Sequence, residues 1–204
     1  MKAMTDKEAR KWCSHESTGL RVIGRLNILR FKKPKEHYFF IDPPEKHRRI
    51  VALARTILCF RGDTQFSGGF LWLQCWDIGS PQLVWPGWRI LEDMRRAHGE
   101  PRPLEIAPAQ SFREDEMVEL HAFLIQVIAF AWVADYIPFA GDFFLHFKMN
   151  GLICVSARSA ETLNELRVHF RQWKQANEDS MQVKMAAYAK VRSNPRLKAL
   201  YDLK

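Results

Sequence analysis

The stretch that decides the fold is LHAFLIQVIAFAWVADYIPF, residues 120–139. Over 120–134 only His121 and Gln126 are polar, so the stretch suits a membrane span, a buried helix or the wall of a site. A helix needs about 20 consecutive apolar residues to cross the hydrocarbon layer. This run is cut off by Asp135 on one side and by the acidic segment REDEMVE on the other. We therefore predict a buried helix and no membrane span.

Local residues set the expected ends of this helix. Ser111 and Glu114 have the spacing of a capping box, in which a hydroxyl and a carboxylate each satisfy an exposed backbone N–H. Pro138 lacks a donor and disfavours helical geometry in the residue before it. We expect one helix over about 112–136. Because its apolar residues occupy every side, we expect it to be central and buried.

Three other segments have helical periodicity. Asp42 as N-cap and Pro43 as first helical residue predict a helix in DPPEKHRRIVALARTILCF. WPGWRILEDMRRAHG predicts a second helix, which Gly99 would end. AETLNELRVHFRQW predicts a third, and the segment 180–192 either continues it or begins another.

Alternating residues and turns predict the strands. Asn150-Gly151 tolerates the positive φ of a two-residue type I′ turn, so DFFLHFKMNGLICVSAR predicts a β-hairpin with His146 opposite Val155. Two earlier strands flank the basic turn RFKKPKEH, and GFLWLQCWDI predicts a central strand.

These elements predict an α+β fold. We expect a mainly antiparallel sheet of about five strands packed with four or five helices. A chain of 204 residues with 47% hydrophobic residues can build one substantial core. We therefore expect a single domain over 1–204, with loose ends at 1–18 and 194–204.

The N-terminal segment and the cysteines predict the compartment. The first residues lack the apolar segment of a secretory signal. Cys13, Cys59, Cys75 and Cys154 are scattered without a C-x-x-C pair, which favours neither a zinc site nor a disulfide framework. We expect reduced thiols, a cytoplasmic location, and no metal or other cofactor.

Positive charge is concentrated at the N-terminal end. Residues 1–61 hold fifteen Lys and Arg against six Asp and Glu, whereas residues 62–204 hold sixteen against seventeen. The candidate contact residues on this basic N-terminal face are Lys32, Lys33, Lys35, Arg48 and Arg55. Such cations neutralise phosphates or meet an acidic protein, and the alternative is a merely solvated surface.

Two tryptophans are candidate anchors for a partner. Trp85 and Trp88 flank a Pro-Gly turn, where large rings can be exposed. Buried aromatic anchors carry much of the binding energy of protein interfaces. The alternative is that both rings belong to the core.

A polar cluster near the end of the central helix is the candidate for chemistry. It comprises Asp135, Tyr136, Asp142 and His146. An Asp and His pair within hydrogen-bond reach can act as acid and base, with the tyrosine as a further donor. No nucleophile or metal-ligand spacing accompanies them, so the sequence favours a structural role.

Two functions follow from these observations. The first is a non-catalytic cytoplasmic interaction protein, of adaptor, immunity-type or accessory character, whose basic N-terminal face meets an acidic protein partner. The alternative is a nucleic-acid-binding protein that uses the same face. Catalysis near Asp135 ranks third. The sequence does not determine the oligomeric state.

Overall fold

The structure, a computed structural model, describes residues 1–15, 18–24, 27–32, 37–60, 67–75, 86–148 and 150–176. Lys33, Lys35, Trp85, the segment 180–192 and the tail 194–204 lie outside these described residues.

Within the described residues, ten strands form an eight-stranded sheet and a separate two-stranded ribbon. Every strand pair is antiparallel, and the order in the sheet is β1-β6-β5-β7-β8-β9-β4-β10, while β2 and β3 form the ribbon. The strands are β1 Lys2–Met4, β2 Leu20–Ile23, β3 Ile28–Phe31, β4 His37–Ile41, β5 Gly69–Cys75, β6 Ala109–Phe112, β7 Val133–Pro138, β8 Phe143–Phe147, β9 Ile153–Ala157 and β10 Gln175–Ala176.

Helices lie on both sides of this sheet. Those within the described residues are α1 Asp6–Cys13, α2 His47–Leu58, α3 Pro86–Ala97, α4 Met117–Ala129 and α5 Ala160–His169. The predicted α+β class is confirmed, but the sheet is larger than the expected five strands. No helix in the described part of the chain has the length and apolar character needed to span a membrane.

The two sides of the sheet have separate apolar cores. On one, the helix side, α2 to α5 bury residues such as Leu53 and Leu124 against Leu71 and other strand residues. On the other, the ribbon side, α1 and the β2–β3 ribbon bury Leu29 against Phe70 and its neighbours. Alternate residues of β5, β7 and β8 therefore enter different cores.

The expected central helix over 112–136 is wrong in its bounds. Met117–Ala129 is helical and packs on the helix side, but Val133–Pro138 is strand β7 in the middle of the sheet. Ala131 has φ +50°, and the N–H of Trp132 donates to the carbonyl of Val127 at 3.0 Å. This is a Schellman ending, in which a left-handed residue reverses the chain.

The start of the same helix also differs from the capping-box prediction. Ser111 lies in strand β6, and a short 3₁₀ helix, Glu114–Glu116, precedes α4. Glu116 is the residue whose carboxylate accepts from the backbone N–H of Arg113, at 2.8 Å. The buried Glu116 carboxylate also forms an ion pair with the amino group of Met1.

Helix α2 begins five residues after the predicted N-cap. Its N-cap is Lys46, with no side-chain cap, and its first residue is His47. The residue before a proline is disfavoured in helical geometry, so Pro44 keeps Pro43 out of the helix. The Asp42 carboxylate instead accepts from Lys174 Nζ at 2.8 Å.

The β8–β9 hairpin has a three-residue loop instead of the predicted two-residue turn. The N–H of Lys148 donates to the carbonyl of Leu152 at 2.9 Å, and Gly151 has φ +76°. Three-residue hairpin loops place a glycine in this left-handed conformation. His146 therefore lies opposite Cys154 and not opposite Val155, because a shift of one residue exchanges the faces of a strand.

The first residues, expected to be loose over 1–18, carry an edge strand and a helix. β1 pairs with β6, and α1 is stabilised by a capping box between Thr5 and Glu8. A three-residue strand has too few residues to show an alternating pattern, so the sequence did not mark it.

Candidate functional site

A single row of directly opposed residues crosses all eight strands on the ribbon side of the sheet. Residues directly opposite each other in antiparallel strands point to the same face. From one edge to the other the row contains Met4, Ala109, Trp72, Asp135, His146, Cys154, Phe40 and Ala176. Its three central members carry a carboxylate, an imidazole and a thiol, and we call them the polar row.

Asp135 is the buried member of the polar row. Its side chain has no solvent exposure. His146 Nδ1 lies 2.8 Å from Asp135 Oδ1, and Gln74 Nε2 donates to Asp135 Oδ2. The same Gln74 amide donates to the carbonyl of Asn27 at 3.2 Å, which fixes its orientation. Each carboxylate oxygen therefore has one side-chain partner, the Gln74 amide as a donor on Oδ2 and the His146 ring on Oδ1.

The electrostatics of Asp135 combine opposing effects. Burial raises the pKa of the carboxyl, while the hydrogen bond and charge of His146 and the hydrogen bond from Gln74 lower it. Without these two donors, an ionised carboxylate at this depth would be strongly disfavoured. The pair with His146 is therefore the condition under which Asp135 can hold its charge.

His146 connects this buried charge to the surface. Its side chain is 30% exposed, and Nδ1 is engaged by Asp135. When Asp135 is ionised it can only accept hydrogen bonds, and Nδ1 of a neutral His146 ring is then the protonated nitrogen. Nε2 then carries a lone pair directed away from Asp135, which can accept a proton or a hydrogen bond.

The other two members of the predicted cluster lie elsewhere. Tyr136 follows Asp135 in β7 and so points to the helix side, where burial raises its pKa. Asp142 precedes β8, four residues before His146, which corresponds to about 13 Å along a strand. The structure thus brings Asp135 and His146 together and separates them from Tyr136 and Asp142.

Two residues that the sequence did not single out complete the site. Gln74 lies on β5, two residues after Trp72, and its side-chain amide reaches Asp135. Cys154 lies opposite His146, and its Sγ is 3.7 Å from Ser156 Oγ. Its position would have followed from the sequence only if the hairpin loop had been assigned three residues.

The predicted basic residues lie on both sides of the sheet. Lys32 follows β3, and its Nζ donates to the carbonyl of Ser14 at 3.2 Å. Arg48 and Arg55 are exposed on α2, which packs on the helix side. Trp88 belongs to α3, and its side chain is outside the description. The described cations therefore do not form one continuous basic face.

One part of this basic region has a distinct pattern, the solvent-facing surface of the β2–β3 ribbon. Arg21 lies directly opposite Arg30, and Ile23 directly opposite Ile28. The isoleucines are 41% and 44% exposed, and both arginines are exposed. We call these four residues the outer ribbon surface.

The N-terminal segment that contains the ribbon is also positive. Among the described residues of 1–32 there are seven cations against two carboxylates, Asp6 and Glu8. Asp6 accepts from Trp72 Nε1 at 2.9 Å, and Glu8 is engaged by Thr5 in the capping box. The cations are Lys2, Lys7, Arg10, Lys11, Arg21, Arg30 and Lys32.

Comparison of the chain with protein families, with curated proteins and with solved structures finds no match. Over the described residues, no group of three or more His, Cys, Asp or Glu side chains is arranged to hold a metal ion.

Proposed function

We propose that the protein is a non-catalytic interaction protein that binds an acidic protein partner through the outer ribbon surface. The observation that carries the proposal is the adjacency of two cross-strand rows, one of two arginines and one of two exposed isoleucines. Arginine and apolar side chains together are typical of the centre of protein interfaces.

Arg21 and Arg30 are like charges directly opposite each other on the outer ribbon surface. Like charges directly opposite each other in an antiparallel pair destabilise it. A carboxylate placed between Arg21 and Arg30 would remove that repulsion and accept charge-assisted hydrogen bonds from both guanidinium groups. Departures from a local rule tend to lie at functional positions.

The isoleucine row favours a protein over a nucleic acid. Ile23 and Ile28 offer branched aliphatic surface, which packs against apolar side chains of a partner. Single-stranded nucleic acids are bound chiefly by aromatic rings on which bases stack, together with cations. Nucleic-acid binding by the same cations remains the second candidate, because the positive charge of residues 1–32 suits phosphates equally.

A three-way variant comparison tests the proposal. One variant carries Arg21→Ser with Arg30→Ser, the second carries Ile23→Ser with Ile28→Ser, and the control carries Arg48→Ser with Arg55→Ser on the opposite side. Proteins captured from cells of origin are identified, purified and titrated by calorimetry against each variant. We expect an acidic partner whose binding weakens by roughly 1–2 kcal/mol or more in both ribbon variants and is unchanged in the control.

Fluorescence anisotropy with a mixed oligonucleotide pool at two salt concentrations distinguishes the second candidate. Binding to phosphates falls with salt with a slope of about −0.9 per contacted phosphate on duplex DNA. Tight, salt-sensitive binding that is lost with the arginines but kept without the isoleucines would establish the nucleic-acid function instead. A partner that is not acidic, or that tolerates both ribbon variants, would also contradict the proposal.

A cytoplasmic location is part of the proposal. Cys13, Cys59 and Cys154 are thiols and not half-cystines, as expected in a reducing compartment. Alkylation of the denatured protein, taken from its cells under nonreducing conditions, should modify all four cysteines of the chain. Fewer reactive cysteines would argue for a disulfide or another modification.

A further inference from the structure

The polar row has no role in the proposed interaction, yet it places a thiol beside an oriented imidazole. Cys154 and His146 are directly opposite on neighbouring strands, for which Cβ atoms lie about 4.5–5.5 Å apart. His146 is in turn directly opposite Asp135. Thiol, imidazole and carboxylate thus occupy consecutive positions of one row on three adjacent strands.

The order of the row assigns a part to each group. Asp135 Oδ1 lies 2.8 Å from His146 Nδ1, and in its ionised form it holds the Nδ1 proton and leaves Nε2 as the base. A base near a thiol promotes formation of the thiolate, which is the nucleophilic form of cysteine. Asp135 is therefore a positioning residue, and His146 is the proton acceptor.

The other neighbours of Cys154 suit a small anionic molecule. Its opposite residue on β4 is Phe40, and Lys148 Nζ lies 4.7 Å from the centre of that ring. Tyr38, which is 53% exposed, contacts Phe40 edge to face with a centroid distance of 5.6 Å. An aromatic shelf with one ammonium group can hold the aliphatic part and the carboxylate of a small ligand.

The backbone around Cys154 argues against acyl transfer. Such reactions require donors, most often backbone N–H groups, aimed at the oxyanion of the intermediate. β9 pairs with β8 on one side and β4 on the other, so the N–H groups next to Cys154 are engaged in the sheet. Thiol–disulfide exchange needs no oxyanion site, only a thiolate and an accessible disulfide sulfur.

We propose that Cys154 is a reactive thiol that exchanges with small anionic disulfides, with His146 as its base. The Cys154 proton moves to His146 Nε2, and the thiolate attacks one sulfur of the disulfide. A new S–S bond to Cys154 forms as the original S–S bond breaks. The leaving thiolate takes the proton back from His146, so the products are a mixed disulfide and one free small thiol.

Two other thiols among the described side chains serve for contrast. Cys13 is fully buried in α1, and burial, followed by the nearby charge of Asp135, raises its pKa. Cys59 is partly exposed but follows α2 on the helix side, away from the polar row. If solvent access alone set reactivity, Cys59 and Cys154 would react at similar rates, whereas a base in the polar row would make Cys154 react faster.

The test uses the whole folded protein and glutathione disulfide as the probe. Samples are quenched with acid at intervals, and peptide mass mapping gives the rate at each cysteine. We expect the mixed disulfide to form first at Cys154. In His146→Gln the Cys154 rate should fall at least about tenfold near neutral pH, with the Cys59 rate unchanged.

Two comparisons separate chemistry from structure. Lys148→Gln should slow the reaction with glutathione disulfide but not with the uncharged bis(2-hydroxyethyl) disulfide. If His146→Gln does not fold, the pH dependence of the wild-type rates decides, because Cys154 should keep its rate to lower pH than Cys59. First reaction at another cysteine, equal pH profiles, or an unchanged Cys154 rate in a folded His146→Gln variant would overturn the proposal.

Discussion

The two sides of the eight-stranded sheet differ in what they bury. On the helix side, β7 and β8 contribute Ala134, Tyr136 and Leu145 to an apolar core beneath α4. On the ribbon side, the same two strands contribute Asp135 and His146. Because alternate residues of a strand face opposite ways, one strand can supply both a stable core and a reactive group. The ribbon side also takes the apolar Ile137 and Phe144 from these strands, so the polar pair lies within an apolar core.

The largest loss of stability should come from a substitution in the helix-side core. Leu124 is fully buried in α4, so Leu124→Ala should lower the free energy of unfolding by about 2–5 kcal/mol through lost transfer energy and a cavity. Val118→Ala, at a 74% exposed position of the same helix, should change it by less than about 0.5 kcal/mol. Denaturant unfolding measures both. Equal effects would show that α4 does not have the packing described.

Breaking the polar row should have an intermediate effect. His146→Ala leaves the buried Asp135 carboxylate without one of its two donors, so we expect a loss of about 1–3 kcal/mol. His121→Ala is the matched control, since His121 Nε2 contacts a neutral group, the carbonyl of Val51, at 3.1 Å. A smaller loss in His146→Ala than in the control would contradict the role assigned to the pair.

The pH dependence of stability sharpens the same comparison. A carboxyl whose pKa is raised by folding binds its proton more tightly in the folded state. Binding of that proton stabilises the folded state. The stabilisation is fully present below the unfolded pKa of about 3.9 and is lost as the pH rises through the folded pKa. Wild type should therefore lose stability relative to Asp135→Asn as the pH rises from acid towards neutral. A gain over that interval, measured by urea unfolding at each pH, would show that hydrogen bonding outweighs burial at Asp135.

A substitution on the outer ribbon surface should raise the free energy of unfolding slightly, whereas the substitutions in the helix-side core and the polar row lower it. Arg21→Glu replaces two opposed like charges with an opposite pair, which should stabilise the protein by about 0.2–1 kcal/mol. Arg21→Gln should give a smaller gain. Thermal unfolding of both variants at low salt would detect it, and a loss of stability in Arg21→Glu would mean that the arginines do not repel each other.

The smallest effect is expected for the cations of α2. Arg48→Ser combined with Arg55→Ser changes two exposed side chains outside the apolar stripe, so unfolding should shift by less than about 0.5 kcal/mol. A larger shift would show that one of these arginines makes a structural contact of consequence.

The elements that the sequence predicted are those whose residues are close together along the chain. Ile50, Leu53 and Ile57 repeat at helical spacing, and α2 buries that stripe. α4 was predicted from its apolar residues, but its end was not, because the left-handed position is occupied by Ala131 where a glycine would have marked it. A short apolar run after that position does not distinguish a buried helix from a central strand.

The candidate site was predicted in part for the same reason. Asp135 and His146 are eleven residues apart and were considered as a pair, and they are hydrogen bonded. Whether Cys154 lies opposite His146 depends on the length of the hairpin loop. Sequence propensities do not resolve that length, because Asn150-Gly151 suits both a two-residue and a three-residue loop. Gln74 comes from β5, sixty-one residues from Asp135, and its place requires the strand order of the whole sheet.

The succession of β7, β8 and β9 along the chain and in the sheet has a consequence for folding kinetics. These strands form a meander, and hairpins with short loops close within about 1–10 μs, far faster than pairings between distant segments. β5, which supplies Gln74, must close a loop of about sixty residues before it pairs with β7. We therefore expect the carboxylate, imidazole and thiol to be adjacent while the meander is still hydrated. φ-values should be higher for substitutions at Phe147 and Ile153 than at Leu71, and Asp135 should lose its water only when β5 docks.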